Sequence, residues 1–229
     1  MTATHLSYRQ LLRMVLSRAV AAVVVTMAVF FIPAGTLDYW QAWAVCGVIF
    51  IPVVFVFGYL LKHDPALLER RMRYREPHKQ QQRIVRLTYP FFIITFVLPG
   101  LDRRFGWSGM PVAVALVADV VIVAGYGLFI LVLRENSYLS RVIEVAQDQK
   151  VISTGPYAVV RHPMYVAALL MYLALPLALG SYWAVIPALA FVPLIIARIL
   201  NEEIVLARDL PGYIEYTRRV KYRLIPTIW

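Results

Sequence analysis

The stretch of sequence that decides the fold is residues 40–61, WQAWAVCGVIFIPVVFVFGYLL, which contains no charged side chain. A helix of this length rises about 33 Å at roughly 1.5 Å per residue, and the hydrocarbon core of a bilayer is about 30 Å thick. A surface helix of a soluble domain would instead carry polar residues along one face. The stretch therefore predicts a transmembrane helix.

Similar apolar runs lie on both sides of this stretch. Residues 15–33, 84–101 and 111–133 predict single spans, although residues 84–101 could instead re-enter the membrane from one side. A longer block at residues 164–200 is interrupted at Gly180 and Ser181, which predicts a tight helical hairpin. The sequence thus predicts an all-α integral membrane protein with about six transmembrane helices, the last two forming a hairpin, and a C-terminal amphipathic segment.

The composition agrees with lipid as the solvent. Of 229 residues, 61% are hydrophobic and 16% charged, and the mean hydropathy of +0.68 lies outside the range of soluble globular domains. The single cysteine, Cys46, lies inside a predicted span, which argues against a disulfide framework or a thiolate metal cluster, and we expect no metal. The net charge of +10 comes from basic residues that flank the spans, so anionic lipid headgroups explain it better than nucleic acid.

The positions of Lys and Arg predict how the chain is oriented. Basic residues precede the first span, fill residues 62–83 and recur after residue 133, which predicts a cytosolic location for these segments and for both termini, in the cytoplasmic membrane. Asp102, Arg103 and Arg104 fall on the opposite side, where they can pair their own charges. Asp119 interrupts an apolar run, and we expect it to be protonated or paired across helices.

Chemistry-bearing residues concentrate in the second half of the chain. We divide it into N-terminal transmembrane helices, residues 1–133, and a catalytic, cofactor-binding region, residues 134–229. Arg198 and Glu202 are four residues apart, so they share a helix face and can neutralise each other. Glu203 adds a second carboxylate, which leaves negative charge unpaired unless a cation binds. This pattern indicates a carboxylate for a cationic cofactor and a guanidinium that orients an anionic or oxygen-bearing substrate.

A second group of residues lies where a helix is predicted to begin. His162 precedes Pro163, which suits the first turn of a helix, and Tyr157 and Tyr165 lie on either side. One interpretation is a set of interfacial anchors at the membrane surface. The other is the wall of a pocket for a flat heterocycle.

A sulfonium compound such as S-adenosylmethionine would supply the cation. Methyl transfer is an in-line displacement, so the protein mainly has to align donor and acceptor and exclude water. An ionised carboxylate acceptor needs no general base, whereas an amine or thiol would need one, and Glu202 or Glu203 is the candidate.

Several motifs together carry a family resemblance over residues 100–229. They are Gly155-Pro156-Tyr157, Arg161-His162-Pro163-Met164-Tyr165, Arg198, Glu202-Glu203 and Pro211-Gly212-Tyr213-Ile214-Glu215-Tyr216. The combination resembles the isoprenylcysteine carboxyl methyltransferase family, in particular its small prokaryotic branch.

The resemblance implies S-adenosylmethionine as cofactor, in a cytosol-facing pocket with a lateral opening toward lipid. It also implies membrane lipids and a hydrophobic or lipidated acceptor as partners. Arg198 would contact the acceptor, Glu202 would be a further cofactor or active-site contact, and residues 213–216 would form a short helix that closes the pocket. With Glu203, the candidate base proposed above, we take Arg198, Glu202 and Glu203 as the catalytic candidates. The residues implied at the cofactor are Gln149, Lys150, Val151, Ile152, Tyr157, His162, Pro163, Met164, Tyr165 and Glu202.

Two alternatives remain. Sterol-reductase-like membrane enzymes share an Arg-His-Pro helix start and would use NADPH, although their C-terminal Lys-Tyr-Gly pattern is missing from this sequence. A small transporter would distribute polar residues over several spans and often shows inverted repeats. Here the polar residues gather in one region, which favours an enzyme.

Overall fold

A computed structural model describes residues 7–72, 79–139, 145 and 149–229. Its described residues form helices and no strand, which confirms the all-α class. The helices are α1 (Tyr8–Ala34), α2 (Trp40–His63), α3 (Pro65–Met72), α4 (Lys79–Phe105), α5 (Val112–Glu135), α6 (Pro163–Ala178), α7 (Val185–Leu189), α8 (Phe191–Asp209) and α9 (Tyr213–Arg219), with a short 3-10 helix at Gly155–Ala158.

Four helices are long and apolar enough to cross a membrane: α1, α2, α5 and residues Gln82–Phe105 of α4. Their outward side chains are apolar and exposed, as for Val24 at 61% and Phe55 at 72%, because lipid rather than protein covers them. The prediction of an integral membrane protein is therefore confirmed. Helix α4 runs unbroken through residues 84–101, so this segment forms a continuous helix and not a re-entrant loop.

The predicted count of six spans and the hairpin are not confirmed. The last apolar block is broken after α6, close to the predicted Gly180-Ser181 turn, but it continues as the short α7 and then α8. With 16 residues, α6 is only about 24 Å long, short of the hydrocarbon thickness. The backbone of α6 lies closest to α5 and that of α8 closest to α4, while side chains join α6 to α8, as where the Tyr172 and Phe191 ring centroids lie 4.2 Å apart.

Two glycines permit close helix packing. A Cβ on Gly125 of α5 would lie 2.6 Å from Cγ of Met171 on α6, and one on Gly100 of α4 would lie 2.8 Å from the Phe30 carbonyl oxygen on α1. Small residues at such crossings let helix backbones approach where no hydrophobic effect drives association. These contacts hold α5 against α6 and α4 against α1, and the remaining space between α4, α6 and α8 holds the site described below.

At the end of the bundle where α4 stops, the charges do not pair as predicted. Asp102 is 2% exposed and accepts hydrogen bonds from the Ser108 amide at 2.7 Å and from the Ser108 and Ser181 hydroxyls. Arg103 instead contacts Asp38 in the loop between α1 and α2, with 3.5 Å between the charged atoms. Serine hydroxyls thus replace the expected charge partner of Asp102, because the turn after α6 brings Ser181 to it.

Asp119 is buried within α5, with 8% of its surface exposed. Within the described part of the chain, no group donates a hydrogen bond to its Oδ1 atom. The predicted pairing across helices is therefore not found at this oxygen.

Candidate active site

A cavity of about 630 Å³ lies between α4, α6, α8 and α9. One part is polar and is formed by the start of α6, the second half of α8 and the segment around residues 149–152. The other part is an apolar arm, walled by α4 from Ile84 to Phe92 and by Phe191, Leu194 and Ile195 of α8. The cavity thus joins a charged region to an apolar surface that a hydrocarbon chain could contact.

A chain of hydrogen bonds crosses the polar part of the cavity. Arg198 donates from Nε to the Tyr165 hydroxyl at 2.9 Å, and this hydroxyl donates to Glu202 Oε2 at 2.6 Å. The sequence left open whether Arg198 and Glu202 neutralise each other directly on one helix face. The structure instead places the tyrosine of α6 between them, so α6 and α8 are joined at the site by a phenol.

Glu203 is turned away from the cavity lining and belongs to an ion-pair cluster with Arg161, His162 and Arg223. It accepts from Arg161 Nε and Arg223 Nε, both at 2.8 Å, and its Oε1 lies 3.2 Å from His162 Nε2. Burial opposes ionisation of Glu203, but hydrogen bonds from His162, Arg161 and Arg223 outweigh it and lower its pKa to about 2. We expected Glu203 to remain unpaired until a cationic ligand binds, but Arg161 and Arg223 already neutralise it. These contacts suggest that Glu203 stabilises the structure around the cavity.

The same cluster ties the C-terminal segment to the start of α6. Arg161 donates from a terminal nitrogen to the carbonyls of Val220 and Lys221, and its own amide donates to the carbonyl of Tyr222 at 2.9 Å. The His162 amide donates to the carbonyl of Arg223 at 3.0 Å. These bonds fix the chain that follows α9, and they thereby hold α9 against the cavity.

Two tyrosines connect the 3-10 helix to α9. The side-chain amide of Asn136 donates to the Tyr157 hydroxyl at 2.9 Å, and the Tyr216 hydroxyl donates to the backbone carbonyl of Tyr157 at 2.8 Å. Burial raises the pKa of Tyr157 to about 12, so the phenol stays protonated at neutral pH. The Tyr157 hydroxyl oxygen accepts the hydrogen bond from the Asn136 side chain, so the hydroxyl hydrogen can still be donated to a ligand in the cavity.

The predicted site residues come together to a large extent. Pro163 starts α6 without lining the cavity, and Glu203 lies behind the wall in the ion-pair cluster. The predicted residues that line the cavity are Gln149, Lys150, Val151, Ile152, Tyr157, His162, Met164, Tyr165, Arg198 and Glu202.

Sequence reasoning missed the wall formed by distant helices. Arg71 of α3 reaches the cavity, as does one face of α4, including Thr88 and Tyr89. The α4 residues recur at three- to four-residue spacing, but every transmembrane helix has such faces, so spacing alone carries no site signal. Arg161 was noted only as part of a motif, although it is 8% exposed, and a buried arginine indicates a dedicated set of acceptors.

The described residues contain no group of three or more His, Cys, Asp or Glu side chains arranged to hold a metal ion. The polar side chains that line the cavity include Glu202, Arg198, His162 and several tyrosines.

Comparison with known proteins supports an assignment for the central part of the chain. Residues 113–210 match the family model of the phospholipid methyltransferases. The match runs from α5 to the end of α8 and so contains Tyr157, His162, Tyr165, Arg198 and Glu202. No curated protein matches the chain closely enough to count as a relative. The resemblance found in the sequence is thereby confirmed: residues 113–210 match the phospholipid methyltransferase family, which is the family of the isoprenylcysteine carboxyl methyltransferase-type membrane methyltransferases.

Proposed function

We propose that the chain is an S-adenosylmethionine-dependent methyltransferase that acts at the membrane interface on a hydrophobic or amphiphilic acceptor. The family supports methyl transfer at a membrane. The observation that carries the finer proposal is the cavity itself, because its charged part and its apolar arm meet at Tyr165 and Arg198. A polar donor and a lipid-like acceptor can therefore meet in one space.

The residues of the polar part fit a sulfonium cofactor. The cavity volume of about 630 Å³ falls within the range usual for small-molecule sites. Glu202 offers a carboxylate to a cation, and Tyr157, Tyr165, Tyr213 and Tyr216 offer aromatic faces.

When bound, S-adenosylmethionine would supply an electrophilic methyl group on a positively charged sulfur. Glu202 compensates the positive charge, and Tyr165 holds the carboxylate in place through its 2.6 Å hydrogen bond. The ion-pair cluster keeps His162 and α9 in position behind the cofactor. Apolar walls exclude water from the reacting atoms, and this alignment supplies much of the acceleration of a displacement reaction.

Arg198 is placed to orient the acceptor. Its guanidinium is at the junction with the apolar arm, where an anionic head group would find a charged donor and its hydrocarbon tail would lie between α4 and α8. A carboxylate such as that of an isoprenylcysteine fits this arrangement without a general base. An amine or thiol acceptor would require Glu202 to take the proton.

The predicted orientation places the cavity on the cytosolic side. The polar part of the cavity lies at the end of the bundle where α5 ends and α6 begins, and its lining includes Arg71, Lys150 and Arg161. Basic residues at that end favour the cytosolic face of the cytoplasmic membrane. We accordingly divide the chain into N-terminal transmembrane helices, residues 1–133, and a catalytic region, residues 134–229.

Calorimetric titration of the detergent-purified protein with adenosylmethionine, adenosylhomocysteine and NADPH tests the proposal. We expect both adenosyl compounds to bind and the Glu202→Gln variant to bind adenosylmethionine about tenfold more weakly, because a charge-assisted contact is lost. Glu215→Gln is the matched control, since Glu215 is exposed on α9 outside the cavity lining. NADPH binding without an adenosyl signal would indicate the reductase alternative, and binding of none of the three would favour a transporter.

A further inference from the structure

The apolar arm of the cavity ends at the same level on three helices. Among the described residues, its lining stops at Phe92 on α4 and at Ala168 on α6, and it begins at Phe191 on α8. Four positions beyond Ala168, on the same face of α6, is Tyr172, which is buried and lies outside the lining. The arm therefore ends where side chains of these three helices meet.

Three aromatic rings fill this end of the arm. The Tyr172 ring centroid lies 4.2 Å from that of Phe191 and 5.7 Å from that of Phe92, and the planes of the Tyr172 and Phe92 rings are nearly parallel. The Tyr172 hydroxyl points toward α4, 3.5 Å from the Phe91 carbonyl oxygen. Rings at such distances attract one another and leave little room between them. We call Phe92, Tyr172 and Phe191 the floor of the arm.

Contacts between α6 and α8 fix the depth of the arm. At its junction with the polar part, Arg198 Nε lies 2.9 Å from the Tyr165 hydroxyl, and at the floor Phe191 contacts Tyr172. Seven residues separate these two levels on α6, and seven also separate them on α8. This spacing corresponds to about 10 Å at roughly 1.5 Å per residue. The depth is thus set by the same pair of helices at both ends.

The depth can be expressed as a length of hydrocarbon. A straight chain with carbon–carbon bonds of about 1.5 Å and near-tetrahedral angles advances about 1.25 Å per bond, so the arm holds about eight carbons between Arg198 and the floor. We propose that the floor sets the longest acceptor tail that binds fully extended and so selects the acceptor by tail length. A longer tail has to bend sideways out of the arm, which loses contacts with the apolar walls. This inference rests on the proposed function and names residues that determine its specificity.

The test measures the binding of straight-chain alkyl carboxylates of about six to about sixteen carbons, a range that brackets the depth of the arm. Calorimetry in one detergent compares wild type with Tyr172→Ala. Partitioning of each carboxylate into the detergent is common to both proteins, so the ratio of the two dissociation constants reports the floor alone. We expect a ratio near one for tails of up to about eight carbons. Tails of about twelve carbons should bind Tyr172→Ala about tenfold more tightly, because they fill the void left by the ring.

Three further variants separate the ring from other effects. Ala168→Leu lies one turn above the floor and should shorten the arm, which weakens binding of tails of about eight carbons about tenfold and leaves the shortest tails close to wild type. Tyr172→Phe keeps the ring and should keep the wild-type dependence on tail length. Tyr172→Leu removes less volume than Tyr172→Ala, so it should shift this dependence in the same direction by a smaller amount, and it serves if Tyr172→Ala does not fold.

Phe31→Ala is the matched control for a general loosening of the bundle. Phe31 is buried, packs on Tyr39 and Trp43 and lies outside the cavity lining. Its replacement should lower the thermal unfolding midpoint without changing the dependence on tail length. The inference is overturned if Tyr172→Ala and Tyr172→Leu show the wild-type dependence, if Phe31→Ala shifts it equally, or if wild type binds none of the carboxylates.

A separate titration of wild type with adenosylhomocysteine distinguishes this inference from the proposed function. Adenosylhomocysteine binding together with the shift in tail length would support both. Absence of adenosylhomocysteine binding would overturn the proposed function, whereas the shift in tail length would still support the floor as the end of a hydrocarbon site.

Discussion

The two adjacent carboxylates of α8 lie in different surroundings. Glu202 faces the cavity and accepts a hydrogen bond from the Tyr165 phenol, whereas Glu203 lies outside the cavity lining and binds Arg161, His162 and Arg223. Successive residues on a helix are rotated by about 100°, so one step along α8 separates a carboxylate that lines the cavity from one held in the ion-pair cluster. Two neighbouring carboxylates of one motif can therefore have different partners and different effects on the protein.

Replacing Glu203 should give the largest effect on stability. In Glu203→Ala the Arg161 guanidinium, whose side chain is 6% exposed, loses its carboxylate while remaining buried. We expect the free energy of unfolding to fall by about 3 kcal/mol, as when one partner is removed from a buried ion pair. Denaturant titration in mixed micelles measures this loss. Glu202→Ala should lose less, and equal losses for the two variants would contradict the division of roles.

The ionisation of Glu203 should also make the stability of the protein depend on pH. Its pKa is about 2 in the folded protein and near 4.5 when unperturbed, so its stabilising contribution is complete above about pH 4.5 and disappears as the pH falls toward 2. The stability difference between wild type and Glu203→Gln should stay constant from pH 7 to about 5 and shrink below that. Thermal unfolding of both proteins over this range measures it, and a constant difference down to pH 3 would refute the prediction.

On the cavity side, Arg198→Ala should act on turnover and not on cofactor binding. We expect kcat/KM for the acceptor to fall about 10- to 100-fold, the usual cost of losing a hydrogen bond from a charged group, with adenosylhomocysteine affinity nearly unchanged. A methyl-transfer assay with the acceptor and calorimetry measure the two quantities. Arg198→Lys keeps the charge and should recover part of the loss; full turnover by Arg198→Ala would remove the orienting role.

The smallest effect is expected at Asp119, which lies on α5 outside the cavity lining. Asp119→Asn has nearly the same shape, and the Oδ1 atom accepts no hydrogen bond from the described residues. Methyl-transfer activity should therefore change less than about twofold, since activity losses follow from contacts made in the transition state. A large loss of turnover with unchanged stability would show that the midspan carboxylate takes part in function.

The membrane class and most of the helix limits could be predicted from sequence. Residues 40–61 were assigned to a span, and α2 covers Trp40–His63, because long uncharged runs have few alternatives to a helix in lipid. Helix α1 starts earlier than the apolar run, because Ser7 and Gln10 form a capping box in front of it. The hairpin could not be judged, since hydropathy does not say which neighbour each short helix packs against.

The sequence by itself determined that this protein lies in a membrane, and it predicted that polar residues such as Tyr157, His162, Arg198 and Glu202 come together, as they do in the cavity lining. Only the tertiary structure decided that Tyr165 lies between Arg198 and Glu202, that Glu203 forms ion pairs with Arg161 and Arg223, and that α4 forms a wall of the cavity. The physical reason is that solvent preference and helix periodicity are properties of a local stretch of chain. Which side chain completes a hydrogen bond depends on how helices distant in sequence cross.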